Sequence, residues 1–175
     1  MGRDAFDNAS EAYMGMIGTY GNRCANFTVA NSDLVVALGS RLDTRQTGTI
    51  PESFARGAKL VRVEVDPAEL EHKVKPDEIS VRADAGAFLE ALCAASGRVR
   101  ADWTDWRKTV SGYRQRYPLD AGRAWGSPNS VVSAVSHMLP ERGAAVLDVG
   151  QNQMWGAQSL SLIHISEPTR PERIS

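Results

Sequence analysis

The sequence predicts an α/β fold built on a parallel sheet, and two features of the chain support this prediction. Short valine-rich apolar runs alternate with segments in which apolar residues recur at every third or fourth position, so strands alternate with helices. The first run, residues 33–39, is apolar after its leading aspartate and ends in glycine. Such a run is typical of a strand buried on both faces, and strands of that kind occur mainly in parallel sheets.

Four strands are predicted in chain order. After residues 33–39, residues 60–66 form the second strand, whose three valines alternate with charged residues, so we expect one of its faces to be more exposed. Residues 79–82 form the third strand and residues 145–149 the fourth. We expect the first three to lie parallel in one sheet, with the fourth outside it in a separate unit.

Helix-start signals lie between these strands. Asp66 precedes Pro67, which places an N-cap residue before a proline at the first helical position. Asp84 and Ser127 open two further helices in the same way. Apolar residues of the Ser127 helix are expected to point inward: Val131, Val132, Val135, Met138 and Leu139. A longer helix between these two has an aromatic-rich stripe that we interpret as packing: Trp103, Trp106, Val110, Tyr113 and Tyr117.

Composition excludes several classes of function. The 175 residues include 20 Lys and Arg against 21 Asp and Glu, a net charge of -1 without a basic stripe, so no nucleic-acid partner is expected. The apolar runs are too short to span a membrane and the N-terminus lacks an apolar signal core. Cys24 and Cys93 lie far apart without metal-type spacing, and we expect buried free thiols in a reducing cytoplasm.

Two motifs lie in the first third of the chain. Residues 14–22 contain three glycines, which permit close backbone approach to a ligand but are explained equally well by a tight turn before a helix. Residues 39–48 begin where the first strand ends, and ligands of open α/β sheets bind at that end of a strand. Here Arg41 and Arg45 alternate with Asp43, which suits phosphate binding and an internal Arg–Asp–Arg cluster equally.

Two further motifs follow later strands. Glu64 and Asp66 end the second strand, where an acid commonly contacts ribose hydroxyls. The N-cap role is favoured for Asp66, and Glu64 is left open. Residues 148–155, Asp-Val-Gly-Gln-Asn-Gln-Met-Trp, follow the fourth strand, and Gly150 opens a turn into a helix. Free backbone N–H groups at such a point favour a diphosphate.

Together the four motifs resemble the acetolactate synthase group of thiamine-diphosphate enzymes over residues 2–159. That family has Gly-Met-x-Gly, Gly-x-Arg-x-Asp-x-Arg-x-Thr-Gly and Asp-Pro-Ala-Glu in its central domain. Its C-terminal domain opens with Asp-Val-Gly-Gln followed by Gln-Met-Trp. The resemblance implies an incomplete Rossmann-like parallel sheet with flanking helices. The first helix and strand of a second, thiamine-diphosphate-binding α/β domain should follow it.

The implied organisation has four parts. Residues 1–100 are expected to be part of the central domain, 101–124 a linker helix and boundary, and 125–159 the start of the C-terminal domain. Residues 160–175 depart from the family pattern, and Leu160 to Arg170 can be back-translated into a transposase-type sequencing adapter. We therefore expect this tail to be an adapter translation, extended or disordered, with few contacts to the rest of the chain.

The resemblance places two sets of cofactor contacts in this chain. Those expected at thiamine diphosphate are Val149, Gly150, Gln151 and Asn152. Those expected at a structural FAD are Gly15, Met16, Gly39, Arg41, Asp43, Arg45 and Glu64. Two positions depart from the family's flavin-binding pattern: Ile17 stands where plant and yeast synthases usually have His, and Ala83 where Gly is common. Because several relatives keep the arginine motif without flavin, binding of FAD and its absence are both open here.

The implied chemistry is the joining of two pyruvates to 2-acetolactate with loss of carbon dioxide. A 2-oxo acid such as pyruvate is the expected substrate, and the parent protein is expected to be a homodimer or homotetramer. The Mg²⁺ ligands and the cofactor-activating glutamate are expected outside this chain, so the chain alone should be inactive and contain no catalytic residue. Two alternatives remain: another thiamine-diphosphate-dependent 2-oxo acid decarboxylase or carboligase, and a non-catalytic nucleotide-binding module.

Overall fold

The computed structural model of the chain describes residues 5–8, 10–98, 101–119, 126–140 and 145–160. The chain divides into two compact units. The first, here called the sheet unit, is Met16–Pro118; the second, here called the helical unit, combines Met1–Gly15 with Leu119–Ser175. Among the residues described, no helix is long and apolar enough to cross a membrane.

The sheet unit is built on a three-stranded parallel sheet. Its strands are β1 (Leu34–Leu38), β2 (Lys59–Glu64) and β3 (Ile79–Arg82), in that spatial order. Leu34 of β1 lies opposite Lys59 of β2, and Val61 of β2 lies opposite Ile79 of β3. The three predicted strands and their parallel arrangement are confirmed, and the chain is of the α/β class. The expectation that the first strand is buried on both faces is wrong, because Leu34 and Val36 on one face are 49% and 39% exposed.

The helices of the sheet unit are α1 (Arg23–Ala30), α2 (Thr44–Thr47), α3 (Pro67–Glu71), α4 (Ala85–Ala95) and α5 (Thr104–Arg116), with 3₁₀ turns at Pro51–Ser53 and Ser96–Arg98. The Asp66 carboxylate accepts a hydrogen bond from the Ala68 N–H at 2.9 Å, and the Asp84 carboxylate accepts one from the Ala87 N–H at 3.0 Å. Both predicted N-caps are therefore confirmed.

The main apolar core lies against one face of β1 and β2. Its buried members come from those strands and from the segments between them: Ala37, Leu42, Phe54, Ala55, Ala58 and Leu60. Val35 and Leu60 are register partners, so their side chains share this face of the sheet. The core thus fixes the loops that leave the carboxyl ends of the strands.

Strand β2 corrects the prediction that its charged face is the more exposed one. Arg62 is only 1% exposed, whereas Val65, just beyond the strand, is 64% exposed. Arg62 and its neighbour Val63 point to opposite faces of this central strand and are each 1% exposed, so both faces are covered at this point. The Arg62 guanidinium is stabilised there by an ion pair with Glu78 at 3.2 Å and by backbone carbonyls.

Helix α5 packs on α1 through aromatic rings. Phe27 of α1 stacks on Tyr117 with ring centroids 5.2 Å apart and contacts Tyr113 at 5.8 Å. The expected packing role of the stripe is confirmed for these two tyrosines. It is wrong for Trp103, the N-cap residue of α5, which is 47% exposed.

The helical unit contains α6 (Pro128–Met138) and α7 (Gln151–Ser159), which pack together. The Ser127 hydroxyl caps α6 by accepting from the Ser130 N–H at 3.1 Å, as predicted. The Asn129 side-chain amide donates to the Gln158 side chain at 2.9 Å. However, three of the α6 residues predicted to point inward are exposed: Val131, Val135 and Met138. Helix α7 has only nine residues, and its contact with α6 leaves this apolar face uncovered.

The predicted fourth strand at residues 145–149 is not present. Val146 and Val149 are 95% and 86% exposed, and the segment has no strand assignment. A strand needs a neighbouring strand to pair its N–H and C=O groups, and the described part of the chain supplies none here. The predicted helix of the second unit is therefore confirmed, and the predicted strand is wrong.

The expected division of the chain into domains, linker and tail stays a prediction. The compact units meet between Pro118 and Leu119, within the segment 101–124 expected to contain a boundary. Residues 161–175 lie outside the described residues, so the hypothesis that the tail 160–175 is an adapter translation stays a prediction.

Candidate functional site

The parallel strands end at one edge of the sheet, and two sequence motifs leave from it. The Gly39 N–H, just after β1, donates to the Val63 carbonyl at 2.9 Å. The Ala83 N–H, just after β3, donates to the Glu64 carbonyl at 3.2 Å. We call this region, Gly39–Arg45 with Glu64–Glu69, the carboxyl edge. It brings together Gly39, Arg41, Asp43, Arg45 and Glu64 from the predicted FAD set.

The loop after β1 reverses the chain through two residues with positive φ. Gly39 has φ +55° and open space where a side chain would begin, so ligand atoms can approach its backbone. Leu42 has φ +53°, which strains a non-glycine residue. Its side chain is buried in the core, and that burial holds the strained turn in place. The turn leaves Arg41 exposed and puts Asp43 at the N-cap of α2.

Asp43 is occupied by the backbone of α2. Its carboxylate accepts from the Arg45 N–H at 3.0 Å and from the Gln46 N–H at 3.3 Å, while the Gln46 side chain accepts from the Asp43 N–H at 3.2 Å. This reciprocal arrangement is a capping box. Among the described residues, no ion pair joins Asp43 to Arg41 or Arg45, so the internal Arg–Asp–Arg cluster is not observed.

The two arginines of the motif are accessible cations. Arg41 has a side chain that is 75% exposed, and its Nε lies 3.4 Å from Oε2 of Glu69 in α3. Its two terminal nitrogens make no hydrogen bond within the described residues. The Arg45 side chain is exposed and likewise forms no ion pair in this part of the chain. Two exposed guanidinium groups on one loop favour an anionic ligand at the carboxyl edge.

The glycine-rich turn packs directly against α2. The Thr19 N–H donates to the Arg45 carbonyl at 2.8 Å. Gly18 has φ +98°, and a side chain there would meet the Arg45 carbonyl and lie 2.8 Å from Gln46 Cα. Gly21 lies as closely against the Met16 carbonyl. These glycines are therefore required by the turn itself, in which Met16 of the predicted set lies against Gly21 and Asn22.

Two asparagines that the sequence analysis missed hold this turn. The Asn22 side chain accepts from the Met16 N–H at 3.0 Å. The Asn26 side chain accepts from the Gly18 N–H at 2.8 Å and donates to the Gly18 carbonyl at 3.0 Å. Asparagines placed just after a glycine-rich segment are the signal that could have indicated this role. Gly15 precedes the turn with φ +87°, a conformation that favours glycine.

Glu64 is partly used by its own turn. Its Oε1 accepts from the Val65 N–H at 2.8 Å and from the Asp66 N–H at 3.4 Å. Its Oε2 has no hydrogen bond within the described residues. One carboxylate oxygen at the edge is therefore available to a ligand hydroxyl.

The sequence analysis also did not predict a buried polar network formed by Arg62, Glu78 and Lys75. Glu78 is fully buried, and its Oε2 accepts from the Val74 N–H at 3.0 Å and from the Lys75 N–H at 3.3 Å. The Lys75 ammonium donates to the Ala55 and Ala58 carbonyls, both at 2.8 Å. A charged residue inside a central valine-rich strand, with an acid just before the next strand, could have indicated such pairing.

The predicted diphosphate segment lies in the helical unit. Gly150 is the N-cap of α7, and no side chain caps the helix. The Gln151 and Asn152 N–H groups form no hydrogen bond within the described residues, whereas the Val149 N–H donates to its neighbour Asp148 at 2.7 Å. Unpaired N–H groups at the start of a helix suit a diphosphate. The residues present therefore fit the anionic end of thiamine diphosphate.

The cysteines and possible metal ligands lie outside these features. Burial raises the pKa of the Cys24 thiol, so it is a poor nucleophile. Cys93 is exposed on α4, which corrects the expectation that both thiols are buried. In the portion of the chain that the structure describes, no group of three His, Cys, Asp or Glu side chains could hold a metal ion.

Comparisons with known proteins identify the family of the chain. Residues 1–92 match the model of the thiamine pyrophosphate enzyme central domain. The chain therefore belongs to the thiamine pyrophosphate enzyme family, which implies thiamine diphosphate as its cofactor.

Several curated relatives are similar over nearly the whole chain. The acetolactate synthase large subunit of Parasynechococcus marenigrum is 37% identical over 164 residues, which cover 91% of this chain and 26% of the relative. The corresponding subunit of Pyropia yezoensis is 33% identical over 93% of this chain and 28% of its own length. Acetolactate synthase 2 of Nicotiana tabacum is 34% identical over 90% of this chain and 24% of its own. The chain thus spans about a quarter of the length of these relatives.

Proposed function

We propose that this chain is part of a thiamine-diphosphate-dependent carboligase that converts two pyruvates to 2-acetolactate and carbon dioxide. The observation that supports this most is the similarity to acetolactate synthase large subunits over 91–93% of the chain at 33–37% identity. The uncapped start of α7 supports it from the structure, since it offers N–H groups to an anion.

In this proposal, the segment Val149–Asn152 binds the diphosphate end of the cofactor through backbone N–H groups. Gln151 adds a side-chain hydrogen bond, and Gly150 keeps the approach to the backbone open. Bound thiamine diphosphate supplies the nucleophilic thiazolium carbon and the electron sink for decarboxylation. Mg²⁺ accompanies the diphosphate and takes its protein ligands from residues outside this chain. This chain therefore positions the cofactor and moves no proton itself.

We further propose that the carboxyl edge binds a structural FAD. Arg41 and Arg45 are exposed cations suited to its diphosphate, and the free Oε2 of Glu64 is suited to a ribose hydroxyl. The open space above Gly39 admits the ligand to the backbone. Asp43 contributes by shaping the loop, because α2 occupies its carboxylate. Gly15 and Met16 contribute from the start of the glycine-rich turn.

Several further features of the parent protein belong to the same proposal. Its substrate is a 2-oxo acid such as pyruvate, consistent with the name shared by the relatives. Carboligases of this family work as homo-oligomers, and we propose a dimer or tetramer. The two free cysteines suit the reducing cytoplasm, which is the compartment we propose.

The test is product analysis with the full-length protein, extended on both sides to the length of the relatives. With pyruvate, thiamine diphosphate and Mg²⁺, we expect 2-acetolactate and carbon dioxide. Carbon dioxide with a free aldehyde would instead identify a 2-oxo acid decarboxylase. A protein that binds FAD or a nucleotide but consumes no 2-oxo acid would identify the non-catalytic module. The 175-residue chain is the control and should produce no acetolactate.

A further inference from the structure

The central strand buries a guanidinium that contacts helix α3 directly. Arg62 Nη2 donates to the Glu69 carbonyl at 2.6 Å, and Nη1 donates to the His72 carbonyl at 2.8 Å. Nη1 also lies 3.2 Å from Glu78 Oε1, in an ion pair whose two side chains are 1% and 0% exposed. Glu78 is fixed in turn by the Val74 N–H. Nη1 is thus shared between the Glu78 carboxylate and the His72 carbonyl, while Nη2 holds the Glu69 carbonyl.

Helix α3 depends on these contacts for its position. It has only five residues, which is too short to be stable by its own hydrogen bonds. The last carbonyls of any helix lack partners within it, and the two carbonyls that Arg62 contacts are of this kind. The two terminal nitrogens of Arg62 therefore fix where the end of α3 lies relative to β2.

The side chain of Glu69, whose carbonyl Arg62 holds, faces the carboxyl edge. Its Oε2 lies 3.4 Å from Arg41 Nε. An exposed arginine loses much conformational freedom when it binds a ligand, so restraint in the free protein raises affinity. Restraint through Nε leaves the two terminal nitrogens for two parallel hydrogen bonds to a phosphate.

We infer that Arg62, paired with Glu78, is a positioning residue for Arg41: it fixes the Glu69 backbone so that the Glu69 carboxylate restrains the guanidinium that binds a diphosphate. This inference rests on the proposed FAD site at the carboxyl edge and adds to it the residues that preorganise it. The ligand chemistry is that of a dinucleotide diphosphate.

A double-mutant cycle in the whole 175-residue chain tests the inference. Arg62→Lys keeps a positive charge beside Glu78, but one ammonium cannot span both carbonyls. Binding of FAD, followed by flavin fluorescence, and of inorganic pyrophosphate, followed by calorimetry, should weaken about three- to fivefold in this variant. In an Arg41→Met background the same substitution should change affinity less than about twofold, because the two residues act through one contact. Arg56→Lys, at an exposed arginine outside the network, is the matched control.

Other results would overturn the inference. Equal losses in the two backgrounds would mean that Arg62 acts on the fold in general, and an unchanged or higher affinity would refute restraint of Arg41. A chain that binds pyrophosphate but not FAD would refute the flavin proposal, and the cycle would then be judged with pyrophosphate. A chain that binds neither would overturn both. If Arg62→Lys is unfolded by near-UV circular dichroism, the pair Arg62→Met with Glu78→Met replaces it, because substituting both partners leaves no unpaired buried charge.

Discussion

At the scale of single residues, buried charge dominates the sheet unit. Arg62 and Glu78 form an ion pair with almost no solvent contact, and the Lys75 ammonium is held by two carbonyls nearby. The Arg62 Nε has no hydrogen-bond partner within the described residues. A single charged side chain is costly to bury, whereas a buried pair of opposite charges is tolerated because each charge is compensated by the other. They tie the segments between the strands to the sheet.

The first prediction follows from this coupling. Arg62→Met leaves Glu78 charged and buried without its ion-pair partner, so the free energy of unfolding should fall by about 3–5 kcal/mol. Arg62→Met with Glu78→Met should recover most of that loss, because no unpaired charge remains. Urea unfolding of the 175-residue chain measures both. A double variant no more stable than the single one would show that the ion pair is not the cause.

At the scale of elements, turns and caps position the carboxyl edge. The capping box of Asp43 begins α2, and Asp66 and Asp84 begin α3 and α4. The turn around Gly18 packs on the backbone of α2 and is held by Asn26. Each of the three caps joins one strand end to the next helix, and the turn adds a backbone contact to α2, so contacts within the chain shape the edge.

The second prediction concerns the turn. Gly18→Ala should lower the free energy of unfolding by about 1–3 kcal/mol, because the new methyl group meets the backbone of Arg45 and Gln46 at a positive φ. Gly57→Ala is the matched control, since no atom lies within 4 Å of its Cβ position; it should change stability by less than about 0.5 kcal/mol. Thermal unfolding measures both, and equal effects would contradict the packing argument.

The third prediction concerns the start of α5. Hydrogen bonding by Thr104, from its hydroxyl and then from its N–H, lowers the pKa of the exposed Asp102 carboxyl below its ordinary value of 3.8. A carboxyl with a lowered pKa in the folded state stabilises the fold above the unfolded-state pKa, and this contribution is lost as the pH falls through the folded-state pKa. An NMR titration should place the midpoint below 3.8. Thr104→Val should raise it, and a midpoint unaffected by Thr104→Val would contradict this cause.

At the scale of the whole molecule, sequence patterns predicted the structure correctly where it depends only on residues close together in the chain. The alternating strands and helices and the caps Asp66, Asp84 and Ser127 were predicted correctly, because propensity and capping act over a few residues. The burial of Arg62 could not be predicted, because it depends on Glu78, sixteen residues away in the chain. The strand at 145–149 was wrong for the same reason, because a strand depends on a distant partner. Of the site, the loop Gly39–Arg45 was located correctly, but the roles of Asp43 and Glu69 required the fold.

We propose that the segment Val149–Asn152 binds thiamine diphosphate in a carboligase. The most direct measurement is acetolactate formation by the full-length protein as a function of thiamine diphosphate concentration. We expect saturable dependence, and Gln151→Ala should raise the half-saturating concentration about two- to tenfold, the loss of one hydrogen bond. Gln115→Ala, on the exposed side of α5, is the control and should leave it unchanged. A full-length protein that shows no dependence on thiamine diphosphate, or a Gln151→Ala variant with unaltered half-saturation, would contradict the account.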